Sequence, residues 1–457
     1  MPKKRKKYRI RWGRLFLLFI ILALIAVAIY YAVVGIIALV TGGVAALSSF
    51  GSSLFAFGSD DEAKADSAVV VQATPQQLAE SKAMTLRIDS LMKLPMRLDT
   101  NNIAISIYDI TTQQQVFSLH ETQLLPPAST MKIATAITAA KQLGLNHTYN
   151  EAILVRGKMK GDTLVGNLLL KADDDPLLES FEPLARKVHQ SGIRHIRGNV
   201  YVALAREDTL CEHPTAKAWD IPYNKTPLLL KGKRYVERTL TYTLHACGVT
   251  FRKDDSVKPD GTYRCIAKSS HRLRDVITPM MIHSSNIKAE AVFYHLDHKQ
   301  GLIKDHRMHW TPPHATERYL RKVFIADSTA MKGFVFNDGS GLSPANRLTA
   351  NFLVGMLKFA YDDKPLRDYF INEALATPDD GVRRGSLLSR MQQPEYRGRI
   401  FCKTGTVVTI GASSLAGYLK GADGHWYIFA IINTDSPVAE SRIFQDRLCK
   451  LMMSGKR

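Results

Sequence analysis

Tryptophan and cysteine are scarce in this chain, at four and five of 457 residues. The cysteines (Cys211, Cys247, Cys265, Cys402 and Cys449) include no Cys-x-x-Cys pair, which argues against a zinc knuckle or a dithiol redox motif. No His-Glu-x-x-His occurs, although His306, His309 and His314 lie close together. A helical metalloprotease site is therefore not expected, and neither a metal nor a cofactor is implied. No internal repeat is found, so a solenoid or propeller is not indicated. Acidic excess is missing as well: the formal net charge is +19.

Lys3, Lys4, Arg5, Lys6, Lys7, Arg9, Arg11 and Arg14 carry eight of those positive charges. A basic run can signal nucleic acid, but an apolar run follows it at once, and no nucleic-acid partner is expected. Residues 15–40 form 26 positions without a charge. A spanning helix needs about 20 residues and a signal-peptide core only about 7–15. Residues 1–14 then read as a cytoplasmic basic tail and 15–40 as an uncleaved transmembrane anchor, with the rest of the chain beyond the membrane. The alternative is a long signal peptide cleaved near Ala45 and Ala46. For an exported chain an odd cysteine count leaves at least one thiol unpaired. Cys247 and Cys265 are close enough to bridge a hairpin, and their spacing leaves the question open.

Residues 41–80, rich in Gly, Ser, Ala, Asp and Gln, read as a linker. Residues 102–109 alternate apolar and polar through Ile103, Ile105 and Ile107, and 115–119 follow a polar turn, which predicts a hairpin. Pro126-Pro127-Ala128 stops the chain, and a helix is predicted over 131–143. From 150 to 240 the character changes to short strands, turns and one helix near 179–191, taken as an inserted domain. Residues 81–149 and 241–457 are then the two parts of one surrounding domain. Helical patterning returns over 272–296 and 351–361. Strand patterns occupy 400–408, 412–419 and 426–433, and a last helix runs from about 438 to 453. Strands at both ends with helices between them fit an α+β fold, with one antiparallel sheet closed by the two ends of the chain and flanked by helices.

Ser-x-x-Lys occurs three times, at Ser90, Ser129 and Ser285, and one or two are expected by chance in a chain of this length. Only Ser129 follows a Pro-Pro stop and opens a small-residue apolar helix. There the serine and Lys132, one turn later, share a face, and free N–H groups at the helix start suit a developing oxyanion. A serine hydroxyl needs a base. Lysine serves only when neutral, which burial and a second cation promote; Lys403 is the candidate cation. In Ser284-Ser285-Asn286, Ser284 can pass a proton to a leaving amine and Asn286 can bond Lys132 and a substrate backbone. Lys403-Thr404-Gly405 lies in a strand pattern where the glycine allows close approach of a peptide. Lys403 and Thr404 can hold a terminal carboxylate, and the N–H groups of Thr406 and Ser129 can make an oxyanion hole. The acidic triple Asp173, Asp174 and Asp175 reads as a solvated turn before Pro176. His283 reads as a packing residue, and residues 338–342 as a tight glycine turn.

This motif set is joined by longer likenesses. Pro127-Ala-Ser-Thr-Met-Lys132, Gly166-Asn-Leu-Leu-Leu, Asp175-Pro176, the stretch from Gly192 to Val200, Asp338-Gly-Ser-Gly-Leu-Ser343, the stretch from Cys402 to Thr406 and Ala416-Gly-Tyr418 together resemble the class C low-molecular-mass penicillin-binding proteins. The resemblance spans roughly residues 85–455. It implies a penicillin-binding/β-lactamase-like transpeptidase fold and a serine-type D-alanyl-D-alanine carboxypeptidase/endopeptidase working through an acyl-enzyme. Peptidoglycan stem peptides and β-lactam antibiotics are the implied partners. Together with the anchor read over 15–40, this leads to the expectation of a single-pass protein of the bacterial inner membrane, N-terminus cytoplasmic, with a periplasmic catalytic domain. Lys132 and Asn286 are 154 positions apart, which leaves room for one insert. Ala203 and Ala205 stand where the family often has an aspartate, associated with gripping the end of the stem-peptide side chain, and a serine. Cys402 stands where the family usually has a small residue. Two rival readings remain. A β-lactamase would need an added deacylating base, and no such signature is found. A non-catalytic wall-binding homologue would fit the two alanines.

Overall fold

The computed structural model describes residues 73–209, 223–302, 314–323, 332–378 and 381–454. The basic tail, the 15–40 run and Cys211 lie outside them. Among the described residues no helix is long and apolar enough to cross a membrane.

Helix α1 (Pro75–Met92) corrects the linker expected over 41–80, because its last residues are already helical. Thr74 and Gln77 form a reciprocal capping box and Pro75 occupies the first turn. The predicted hairpin is β1 (Ile103–Asp109) and β2 (Gln114–Leu119). A tight turn, Ala128–Thr130, leads into α2 (Met131–Leu143). A second lobe follows: β3 (Thr148–Lys160), β4 (Thr163–Ala172), α3 (Glu182–Gln190), β5 (His195–Gly198), β6 (Val200–Leu204), α4 (Lys233–Ala246), β7 (Thr250–Lys253) and β8 (Arg264–Arg272). The chain returns through α5 (Leu273–Ile282), α6 (Asn286–Lys299), α7 (Ala315–Val323), α8 (Ala350–Asp362) and α9 (Lys364–Tyr369). It ends in β9 (Ile400–Val407), β10 (Ala412–Lys420), β11 (Trp426–Asn433) and α10 (Val438–Ser454).

The first sheet is antiparallel throughout, in the order β2-β1-β11-β10-β9. Both ends of the chain build it, as the strand patterns required. Helices α1 and α10 cover one face, where Ile88, Ile105, Phe429, Ile431 and Leu448 share a core. Each such side chain contributes about 1.5–3 kcal/mol on burial. Helix α8 packs on β1 and β11, with α2 beside it and α6 against α2. The result is an α+β fold in which helices flank a sheet.

The second sheet is mixed, in the order β7-β5-β4-β3-β8 with β6 also on β4. Two details depart from expectation. β3 and β4 are 13 and 10 residues long rather than short. The lobe also runs on to Arg272, past residue 240, and contains a second helix, α4. Alternating burial continues along β3 through Tyr149, Glu151, Ile153 and Val155, and the charged Glu151 hides that period in the sequence.

Two further expectations change, and the open question of a Cys247–Cys265 bridge is answered. The acidic triple is no solvated turn, since Asp174 and Asp175 are buried. Asp174 accepts from His295 Nδ1 and, at 3.4 Å, from Arg206; Asp175 meets His271 Nδ1 at 2.6 Å. The loop after β6, strand β8 and helix α6 bring each carboxylate a basic partner, which offsets desolvation. His283 is exposed rather than packed. Cys247 and Cys265 are both free, as are Cys402 and Cys449.

Candidate active site

Ser129 sits in the turn before α2, behind Ala128 at φ 47°. A left-handed conformation is uncommon for a residue with a Cβ and persists only where its surroundings impose it. One helical turn on, Lys132 is fully buried. Its Nζ donates to Ser129 Oγ at 2.9 Å, to Asn286 Oδ1 at 2.7 Å and to the Ser340 carbonyl at 2.7 Å. The helical pattern read over 272–296 is broken at His283–Ser285. Ser284 has φ 54° there, and Ser285 caps α6 by accepting from Lys288 N–H. That break puts Ser284 and Asn286 on the same cleft.

Lys403 is buried on β9 and donates from Nζ to Ser284 Oγ at 2.8 Å and to the Thr404 carbonyl at 2.7 Å. Burial, and after it the Lys132 charge, hold the Lys403 ammonium well below the usual lysine range. The site thus holds two serine–lysine pairs, Ser129 with Lys132 and Ser284 with Lys403. Lys403, expected as the cation beside Lys132, is itself acted upon by the Lys132 charge.

Strand β9 forms the edge of its sheet. A Cβ on Gly405 would lie 2.1 Å from Ser414 Oγ and 2.9 Å from Ser129 N, so the strand passes directly against the Ser129 turn. Ser414 Oγ in turn donates to the Pro127 carbonyl at 2.6 Å. Thr404 is the half-buried surface group of the motif, and its Oγ1 bonds Ser386 Oγ at 2.7 Å. Thr406 Oγ1 accepts from Arg442 at 2.9 Å. The structure therefore brings together Ser129, Lys132, Ser284, Asn286, Lys403, Thr404, Gly405 and Thr406. The other two Ser-x-x-Lys serines are occupied elsewhere: Ser90 Oγ bonds the Leu86 carbonyl, and Ser285 is the α6 cap. Cys402 is buried and faces the core shared with Cys449, and burial pushes its thiol up to about 12.

Several site residues were not foreseen. Ser386, Ser414 and Arg442 carry no motif. Glu290 and the Ser340 carbonyl had weak signals: a lone carboxylate in the apolar start of α6, one turn after Asn286, and the glycines of the 338–342 turn. That segment is indeed a turn. Asp338 ties it internally, accepting from Gly341 N–H and Ser343 N–H, both at 2.6 Å, and from Asn346 Nδ2 at 2.8 Å.

A model of the D-Ala-D-Ala carboxypeptidase 3 (S13) family matches residues 84–226 and 222–451. The D-alanyl-D-alanine carboxypeptidase of Actinomadura sp. (strain R39) is 23% identical over 448 residues, covering 76% of this chain and 80% of that protein. Penicillin-binding protein 4 of Haemophilus influenzae superposes with a TM-score of 0.60 at 18% identity, over 79% of this chain and 99% of that one. It is also known in complex with a β-lactam. A predatory peptidoglycan endopeptidase of Bdellovibrio bacteriovorus gives a TM-score of 0.51 at 16% identity, over 79% and 93% of the two chains. At these identities the two structures share the fold.

Proposed function

The chain belongs to the D-Ala-D-Ala carboxypeptidase 3 (S13) family, and from that premise we propose how its site works. It is a serine-type peptidase that acts on peptidoglycan stem peptides through an acyl-enzyme and binds penicillin. Ser129 attacks the carbonyl of the penultimate D-alanine while Lys132 takes the hydroxyl proton. The new C–O bond pushes the carbonyl electrons onto oxygen, and the N–H groups of Ser129 and Thr406 receive that charge. Ser284, hydrogen-bonded by Lys403, relays the proton taken up by Lys132 to the leaving amine as the C–N bond breaks. Water then frees the acyl group. Asn286 steadies Lys132 and the substrate backbone, while Thr404, with Lys403 behind it, meets the terminal carboxylate at the Gly405 edge. The observation that carries this reading is the contact of buried Lys132 Nζ with Ser129 Oγ at 2.9 Å.

The lobe from β3 to β8 is taken as the single inserted domain. Residues 15–40, behind their basic tail, are taken as the anchor that holds the enzyme on the inner membrane with its catalytic part in the periplasm. One experiment tests both proposals. Fluorescent penicillin applied to fractionated cells should label a full-length band in washed membranes, and Ser129→Ala should abolish it. Labelling that persists in Ser129→Ala overturns the chemistry, and labelling confined to the soluble fraction overturns the anchor. Digestion of purified muropeptides then reads the balance between trimming terminal D-alanine and cutting cross-links.

A further inference from the structure

The base in this site must be aimed as well as deprotonated. A neutral lysine amine has two N–H donors and one lone pair in tetrahedral array, whereas the ammonium has three donors and no lone pair. Lys132 Nζ is surrounded by Ser129 Oγ, Asn286 Oδ1 and the Ser340 carbonyl. Two of these three, the amide oxygen and the carbonyl, are pure acceptors. When both take an N–H from the neutral amine, the lone pair has one direction left, toward the Ser129 hydroxyl.

The Ser340 carbonyl is therefore worth holding still, and the turn that carries it is fixed from several sides. Thr135 Oγ1 on α2 donates to the Gly339 carbonyl at 2.7 Å. A Cβ on Gly339 would lie 2.4 Å from Phe293 Cβ, so the turn lies flat against α6. A Cβ on Gly341, whose φ is 78°, would lie 1.8 Å from the Ala128 carbonyl oxygen, so its other end wedges against the Ser129 turn. Between these points Glu290, buried on α6, accepts from Ser340 N–H at 3.0 Å and from Gly339 N–H at 3.4 Å.

We propose that Glu290 is a positioning residue for acylation, acting through the Ser340 peptide to aim the Lys132 lone pair at Ser129. One helix, α6, then supplies both fixed acceptors, Asn286 directly and the Ser340 carbonyl through Glu290 one turn later. A carboxyl group is tolerated at this depth because both oxygens accept hydrogen bonds from the turn. Burial, and after it the Asp338 charge, push the Glu290 carboxyl up to about 8. What Glu290 contributes in this place is a fixed acceptor for the Ser340 N–H.

This proposal rests on the acyl-enzyme reading, and its test separates the two. The acylation rate is measured against concentration of fluorescent penicillin, which yields a pre-covalent binding constant and a maximal acylation constant. Glu290→Met should lower the maximal constant about a hundredfold, the size expected when a reacting group is misplaced by about 1 Å. The pre-covalent constant should stay within a few-fold of wild type. Glu290→Gln, which keeps an acceptor oxygen at the same reach, should restore most of the rate. Should Glu290→Met fail to unfold cooperatively, Glu290→Asp, one methylene shorter, carries the same expectation of slowed acylation with unchanged pre-covalent binding. The proposal is overturned by variants that acylate at the wild-type rate, by a loss confined to pre-covalent binding, or by Gln performing no better than Met. Wild-type protein that takes no label at Ser129 sinks the peptidase reading itself, and the role of Glu290 falls with it.

Discussion

Glu151 lies on β3 with both carboxylate oxygens buried and without a hydrogen-bond partner among the described residues. Burial, and after it the charges of Asp175 and Asp173, push its carboxyl up to about 8. The folded protein thus binds this proton more tightly than the unfolded chain does. Stability is lost as pH rises from the ordinary carboxylate range through about 8. Glu151→Gln removes the titration, so the Tm difference between variant and wild type should grow between about pH 5 and pH 8. A difference that stays constant over that interval contradicts the argument. The motif residues were legible because acyl transfer demands particular side chains at fixed spacings, and a helix start or a strand supplies the geometry. Glu151 and Glu290 were not legible. A carboxylate in an apolar stretch gives no hint of whether its partner is water, a base or a distant peptide N–H.

Strand β9 shows what a single glycine does for an element. Its unsubstituted Cα at Gly405 lets the edge strand touch the turn that holds Ser129. Gly405→Ala places a methyl group 2.9 Å from Ser129 N, forcing strand and nucleophile apart. Acylation by penicillin should fall about a hundredfold with the thermal transition largely kept. Acylation at the wild-type rate would show that the contact has no catalytic weight. The β1–β2 hairpin, helix α2, the three C-terminal strands and α10 were all readable, because period-two or helical patterning runs through them and Pro, Gly or polar turns mark their ends. Two of the misreadings have a plain physical cause. The α5–α6 stretch reads as continuous because Ser284 breaks it with a positive φ that its residue type does not announce. β3 reads as short because charged residues interrupt its alternation.

The two lobes meet through charge as well as apolar packing. Asp174, at the end of β4, is held by His295 of α6 and by Arg206, and all three are buried. Burial alone would raise the Asp174 carboxyl, but the charge and hydrogen bond of His295, followed by the Arg206 charge, hold it far below the usual carboxylate range. The stability this contributes is present above the ordinary carboxylate pKa and lost as pH falls through the depressed value. Asp174→Asn removes the carboxylate that faces two buried basic groups and should cost about 3–5 kcal/mol. Thermal unfolding at neutral pH reads this loss, and an unchanged Tm refutes it. The sequence marked where the second lobe begins through a change of character near residue 150. Its end was invisible, because β8 joins the lobe from across a loop and then runs straight into α5.

The pairing of Ile103 with Asn433 has a consequence in time. Synthesis delivers the hairpin and α2 well before β11, the partner of β1. Pairing over so long a separation is slow to form, and until it does one edge of the hairpin stands open to wrong partners. Lys403 arrives with the same late strands. A chain still being made therefore carries its nucleophile without the second lysine or the substrate-binding edge, and the power to cut the wall appears only once strands β9 to β11 have joined the sheet.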